Sequence, residues 1–187
     1  IVGTTAGTHV TFDPASVSAA ATLNAGTVVT LQGVKSDFHV YSTDSPPKPF
    51  FVAQYMVGQN NFGANCVDVN PPAGQTCGDP SMSLAVATAQ FRNSYQFSAP
   101  QSYYQNWVNV IAPSGATVQV DGTNVAGFAP IGSSGYEVAH VNLCGNTVTG
   151  CNPVHTASSV ALFGIEVYGY GAYTSYMYPG GLNLTRQ

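Results

Sequence analysis

Four histidines, eight carboxylates and four cysteines are the side chains through which this 187-residue chain could do chemistry. His9, His39, His140 and His155 never stand one or three residues apart, so no pair is spaced to grip one metal ion. Each is expected at a strand position with its ring hydrogen-bonded nearby. Cys144, Cys151 and His155 could be written as zinc ligands, but their spacing departs from the tight C-x₂₋₄-C pattern of structural zinc sites. Asp13, Asp37, Asp44, Asp68, Asp79, Asp121, Glu137 and Glu166 are scattered. Asp13, Asp79 and Asp121 adjoin Pro or Gly, where a short carboxylate bonds turn backbone. No D-x-D-x-D-G calcium loop occurs, and only Asp68 with Asp79 could share a calcium ion across a loop. Gly132-Ser133-Ser134-Gly135 lacks the spacing of a nucleophile elbow and reads as a loop. There is no P-loop and no dinucleotide fingerprint. A non-catalytic protein with no metal and no cofactor is the expectation.

The cysteines instead suggest staples. Cys66 lies near Cys77, and Cys144 near Cys151, each pair in a stretch rich in Asn, Gly, Pro and Thr. Of the three possible connectivities, Cys66–Cys77 with Cys144–Cys151 is the economical one. Two such bridges imply an oxidising, extracytoplasmic compartment. The most unusual local feature is aromatic: Tyr168, Tyr170, Tyr173, Tyr176 and Tyr178 fall within eleven residues. Tyrosine joins a rigid apolar ring to a polar tip, which suits a contact surface that stays soluble. Such a face would meet a protein or glycan partner, or another copy of the chain. The competing reading has these rings filling the rim of a β-sandwich. Asn183-Leu184-Thr185 is the single glycosylation sequon.

Charge narrows the classes further. Four Lys and Arg against eight Asp and Glu leave 6% of residues charged, against roughly 25% in an average soluble domain. Lys35, Lys48, Arg92 and Arg186 cannot form a phosphate-tracking stripe, which excludes a nucleic-acid binder. A basic membrane-surface helix falls on the same count. Solubility rests on 16 Ser, 17 Thr, 13 Asn and 10 Gln. A surface with so little repulsion associates easily, as surface-layer, pilus-like and adhesive proteins do.

The elements that must position these residues are strands. Twenty-three Val against seven Leu, two Lys and two Glu invert the helix-forming balance. Val-, Thr- and Tyr-rich runs between Gly, Pro, Asn and Asp clusters predict strands at 8–12, 27–32, 38–42, 50–57, 83–87, 95–98, 107–112, 117–120, 136–143, 161–168 and 172–178. Residues 107–120 read as a hairpin turned at Pro113-Ser114-Gly115-Ala116, with Asp121-Gly122 as a further tight turn. The nearly continuous apolar run from Phe51 to Val57 reads as a strand covered on both faces. A short helical turn fits around residues 85–91. About eleven strands predict an all-β fold: an antiparallel two-sheet sandwich or jelly roll with long loops, one domain over 1–187. No apolar run approaches the ~20 residues that span a bilayer. No signal peptide opens the chain, so it reads as a segment of a longer secreted or surface protein.

Five segments in order carry a resemblance. They are Phe50-Phe51-Val52-Ala53-Gln54-Tyr55-Met56-Val57-Gly58-Gln59, Gly78-Asp79-Pro80-Ser81-Met82, and Asn106-Trp107-Val108-Asn109-Val110-Ile111-Ala112-Pro113 with Val120-Asp121-Gly122. Phe163-Gly164-Ile165-Glu166-Val167-Tyr168-Gly169 and Tyr178-Pro179-Gly180-Gly181-Leu182 complete the set. Together they resemble the IgGFc-binding protein N-terminal domain family, including its bacterial cell-surface members, from about residue 26 to residue 184. The resemblance implies a secreted or cell-surface binding module rather than an enzyme, and it carries no catalytic motif.

Two functions follow as expectations. The first is a non-catalytic extracellular binding or adhesion module that presents loops or the 168–178 face. The second is a structural subunit of an extracellular filament or surface layer. In that case the opening strand, residues 1–12, would pair with another copy's sheet, or the Tyr-rich segment would join copies.

Overall fold

The computed structural model describes residues 1–58, 78–103, 105–144 and 152–184. Its strands are β1 (Val2–Gly3), β2 (Thr8–Asp13), β3 (Ala21–Leu23), β4 (His39–Ser42), β5 (Phe50–Phe51), β6 (Ala53–Tyr55) and β7 (Met82–Leu84). One turn of 3-10 helix, Thr88–Gln90, leads to β8 (Arg92–Ser98), β9 (Gln105–Pro113), β10 (Val118–Val120) and β11 (Thr123–Asn124). The last are β12 (Ala129–Pro130), β13 (Tyr136–Asn142), β14 (Val154–Gly171) and β15 (Thr174–Pro179).

Alternation along β9 and β14 builds the centre. Val108, Val110 and Ala112 on β9 are buried, as are Phe163, Ile165 and Val167 on β14, while Asn109, Ile111 and Glu166 at the alternate positions face away from this core. β14 is 18 residues long and belongs to two layers. Its first part pairs with β10 on one side and β8 on the other. Its second part pairs with β9 and β15. The register breaks between Ser158 and Phe163, where Val160 and Leu162 stand exposed. One layer is therefore β11-β10-β14-β8 and the other β12-β13-β9-β14-β15, all antiparallel. Tyr95, Phe97, Val118, Val120 and Ala157 of the first layer meet Val108, Val110, Ala112, Ile165 and Val167 of the second. The expected antiparallel all-β sandwich is what the chain forms.

A smaller sheet, β3-β2-β4, closes over Val10, Phe12 and Leu23. It is joined to the sandwich by Asp13, whose carboxylate accepts from the Ser133 amide and hydroxyl at 2.9 Å each. His140 Nε2 meets Asp37 Oδ2 at 3.2 Å across the same boundary. The opening strands are engaged within the chain. β2 has β3 on one side and β4 on the other, while β1 pairs with β5 and bridges Val28.

Three details differ from the sequence reading. β9 and β10 do not form a hairpin. The Pro113–Ala116 turn carries the chain from one layer to the other, so that Val118 and Val120 face the β9 valines across the core instead of lying beside them. Residues 27–32 form only an isolated bridge. Val29 and Leu31 pack inward as strand residues would, but the backbone bonds only to Ile1 and Gly3 and, through Thr27, to the turn at Asn24, among the described residues. The run 50–57 is not covered on both faces, as described below. Asp121-Gly122 is the tight turn expected. Both residues take positive φ, 51° and 76°, and they close the β10–β11 hairpin.

Candidate functional site

The β14–β15 hairpin carries the five clustered tyrosines, and strand alternation divides them. Tyr176 and Tyr178 pack on the core side. Tyr176 Oη donates to Oδ1 of the buried Asn106 at 2.6 Å, and its ring meets Tyr103 edge-on at 4.8 Å. Tyr178 Oη donates to the Ser98 carbonyl at 2.5 Å and accepts from the Ser98 amide at 3.1 Å. Tyr168 and Tyr170 stand half-buried on the outer face, their rings edge-to-face at 6.0 Å. Burial pushes the hydroxyls of Tyr168 and Tyr176 well above the ordinary tyrosine value. Tyr173 sits in the turn at φ 52° and is exposed.

A third layer covers part of that outer face: the β6–β7 ribbon. Gln54 and Ser83 are opposite each other in its register and both reach Glu166, Ser83 from a buried position and Gln54 from one that stays partly in solvent. With its amide nitrogen inward, Gln54 donates to both Glu166 oxygens, at 2.7 and 3.0 Å. Burial raises the Glu166 carboxyl to about 7, with the Ser83 hydroxyl pulling the other way. Because the Gln54 amide can present N–H to a carboxylate or its oxygen to a carboxylic acid, the pair stays bonded in both states. The leading end of the ribbon is tied to the hairpin. Gly78 N–H donates to the Gly171 carbonyl at 2.9 Å, and Asp79 N–H to Ser175 Oγ at 3.0 Å. Gly78 lies against the Tyr170 ring, 3.2 Å from where a Cβ would stand.

The other face of the ribbon meets solvent. Tyr55 and Met82 are cross-strand partners, 70% and 52% exposed, and Val57 and Leu84 are 49% and 48% exposed. Phe51 is exposed just before the ribbon. No charged side chain occurs in residues 50–58 or 80–87. Two strands laid on a sheet from outside have support on one face only, which is why the apolar run is half-covered. Gln54 and Ser83 were the signal, two polar residues inside apolar segments that mark the side turned to a carboxylate.

Next to Glu166 in the β14–β9–β13 register stand Asn109 and His140. His140 Nδ1 bonds Asn109 Oδ1 at 2.7 Å, and its other nitrogen meets Asp37. This outer row spends its polar atoms on one another and on the ribbon, so it works as a fastening. The remaining histidines also lie on strands. His9 Nδ1 bonds Asp44 at 2.7 Å, holding that carboxyl down at about 2. His155 is fully buried, stacked on Phe97 and bonded through Nδ1 to Asp121 at 2.6 Å. Asp13 and Asp121 thus bond segments far apart in sequence, where their Pro and Gly neighbours had suggested bonds to their own turns, and Asp44 likewise reaches back to His9. Among the described residues no three His, Cys, Asp or Glu side chains converge as a metal site would require. Cys144 is not a free thiol and its sulfur lies 3.4 Å from Asn106 Nδ2. Cys66, Cys77, Cys151 and Asp68 lie outside the described residues. No helix of the described chain is long and apolar enough to cross a membrane.

What this arrangement can do chemically is present an uncharged aromatic and apolar face, the ribbon with the Tyr173 turn bonded beside it, to another macromolecule. Comparison with curated proteins and with solved structures gave no match. The model of the family described as IgGFc binding protein matches residues 1–169, the greater part of the chain, which therefore belongs to that family.

Proposed function

We propose that the chain is a non-catalytic extracellular binding module that recognises a protein partner at the cell surface. The observation that carries this is the outward face of the β6–β7 ribbon, where Tyr55, Val57, Met82 and Leu84 are exposed without an intervening charge. Large apolar side chains grouped on a surface mark interaction sites more often than scattered ones do. Tyr and Met are also residue types enriched at protein interfaces. Tyr173 adds a ring at the neighbouring turn, and the tyrosines behind it supply a rigid base. The family's description makes immunoglobulin Fc the first ligand to test, with adhesion to matrix proteins next. Cys66–Cys77 and Cys144–Cys151 bridges, and a place as one domain within a longer secreted protein, fit this setting.

Surface plasmon resonance of the full chain against immobilised Fc, fibronectin and collagen tests the reading. Specific binding to one of them, reduced at least tenfold by Tyr55→Ser with Met82→Ser, is the expected result. Binding to any of them that both substitutions leave untouched would remove the ribbon from the site.

A further inference from the structure

A second surface lies on the opposite layer. Among the described residues β8 pairs with β14 on one side only, in the register Ser98↔Val154, Phe97↔His155, Gln96↔Thr156, Tyr95↔Ala157 and Ser94↔Ser158. In an antiparallel pair, alternate residues spend both backbone groups on the neighbour and the rest point away. Ala99 N–H donates to the Pro153 carbonyl, and Asp121 N–H donates to the Thr156 carbonyl on the far side of β14. Both bonds place Phe97 and Tyr95 in the bonded positions facing β14. Ser94, Gln96 and Ser98 therefore direct their amides and carbonyls outward. Tyr178 Oη already serves both groups of Ser98. Ser94 and Gln96, both exposed, are left with an open pair each among the described residues.

These two residues line a groove of about 450 Å³ with Tyr95, the bare backbone of Gly180, and Arg92 at one end. Arg92 is exposed and has no carboxylate within 4 Å among the described residues, where all three ion pairs are His with Asp. The other described borders of the sandwich are short or blunted, β11 having only two residues. β12 has two residues, one of them Pro130, and β15 ends at Pro179 with Asp79 bonded to its Ser175. β8 has seven residues, no proline and no lysine.

We propose that the β8 edge is a strand-addition site for an extended segment of a partner protein that carries a carboxylate opposite Arg92. Backbone bonds to Ser94 and Gln96 supply the pairing, Tyr178 ends it at Ser98, and the guanidinium selects the acid. A second copy fits less well. Antiparallel pairing of two β8 strands about Tyr95 sets Arg92 against Ser98, and β8 contains no acid.

The test is a displayed library of random linear dodecapeptides, panned on the full chain and followed by fluorescence polarisation of the strongest synthetic peptide. Enriched sequences sharing Asp or Glu at one position are expected. Gln96→Pro removes an outward amide without touching the β14 ladder, and should weaken binding at least tenfold at an unchanged melting midpoint. Arg92→Gln should weaken it about threefold or more, and Arg92→Glu should switch the selected residue to Lys or Arg. That switch decides the matter even if the proline variant does not fold. No enrichment, enrichment without an acidic position, or wild-type binding by a folded Gln96→Pro chain would overturn the proposal. So would a dimer that Gln96→Pro abolishes, since the occupant would then be a second copy. Neither Tyr55 nor Met82 lines this groove, so its failure and that of the ribbon are separate outcomes.

Discussion

The β14–β15 hairpin and the β6–β7 ribbon are both antiparallel pairs with apolar or aromatic residues at alternate positions, yet they end in opposite situations. The hairpin is richer in rings, but Tyr176 and Tyr178 rest on the core and Tyr168 and Tyr170 are half-covered from outside. The ribbon has one tyrosine and exposes it. The difference lies in layer position. A strand inside a sandwich that carries a third layer finds support on both faces, whereas the third layer itself has support on one. Aromatic density therefore marks where rings are, and the stacking of layers decides which of them a partner can touch.

The largest break in this comparison comes from Tyr176→Ala. It removes a ring packed on the core and leaves Oδ1 of the buried Asn106 without its donor. A loss of about 3 kcal/mol is expected from the cavity and the unpaired acceptor together. Urea unfolding followed by tyrosine and tryptophan fluorescence measures it. A loss below about 1 kcal/mol would mean that the hairpin is not anchored through this residue.

Next comes the fastening between the two regions. The Glu166 carboxyl is raised from 4.5 to about 7, so the folded chain holds that proton more tightly than the unfolded one. Its stabilising contribution is complete below about 4.5 and is lost as pH rises through about 7. The expected loss between pH 5 and pH 8 is on the order of 2 kcal/mol. Glu166→Gln should match the parent at pH 5 and exceed it at pH 8, so the difference between the two unfolding curves isolates this group from the histidines. Parallel pH profiles would show that the carboxyl is not held under the ribbon.

A smaller effect separates ring from hydroxyl. Tyr178→Phe keeps the packing and removes the two bonds to Ser98. About 1 kcal/mol is expected, with faster hydrogen exchange at the Ser98 amide as the local signature. An unchanged exchange rate would detach Tyr178 from the end of β8.

These effects show what was legible beforehand. The valine-rich alternation of residues 107–112 was enough to place a buried strand, and Asp121-Gly122 to place a tight turn, because both depend on local backbone and side-chain parity. The partners of those strands were not legible. Residues 107–112 and 117–120 look like a hairpin because a turn joins them, but the turn crosses between layers, and only the need to fill a core from both sides explains that. The site was harder still. Five tyrosines in a row were conspicuous, while the exposed face depends on Gln54, Ser83 and Glu166 meeting across more than a hundred residues of chain. No local pattern records such a meeting. The aspartates show the same limit, since Asp13 reaches Ser133 and Asp121 reaches His155.

The smallest expected effect on stability is also the sharpest test of the comparison. Tyr55→Ser with Met82→Ser replaces two side chains that are more than half exposed and face away from Glu166. Surface changes of this kind stay within about 0.5 kcal/mol, and removing apolar area from solvent should raise solubility. If the ribbon were pressed onto the sandwich by its apolar residues, the double variant would lose stability and Glu166 would titrate nearer its ordinary value. If the inward pair Gln54 and Ser83 holds it, as the geometry indicates, the unfolding curve and its pH dependence stay with the parent while partner binding falls. The two substitutions on the exposed face thus separate folding from recognition in a region where one set of alternating residues serves each.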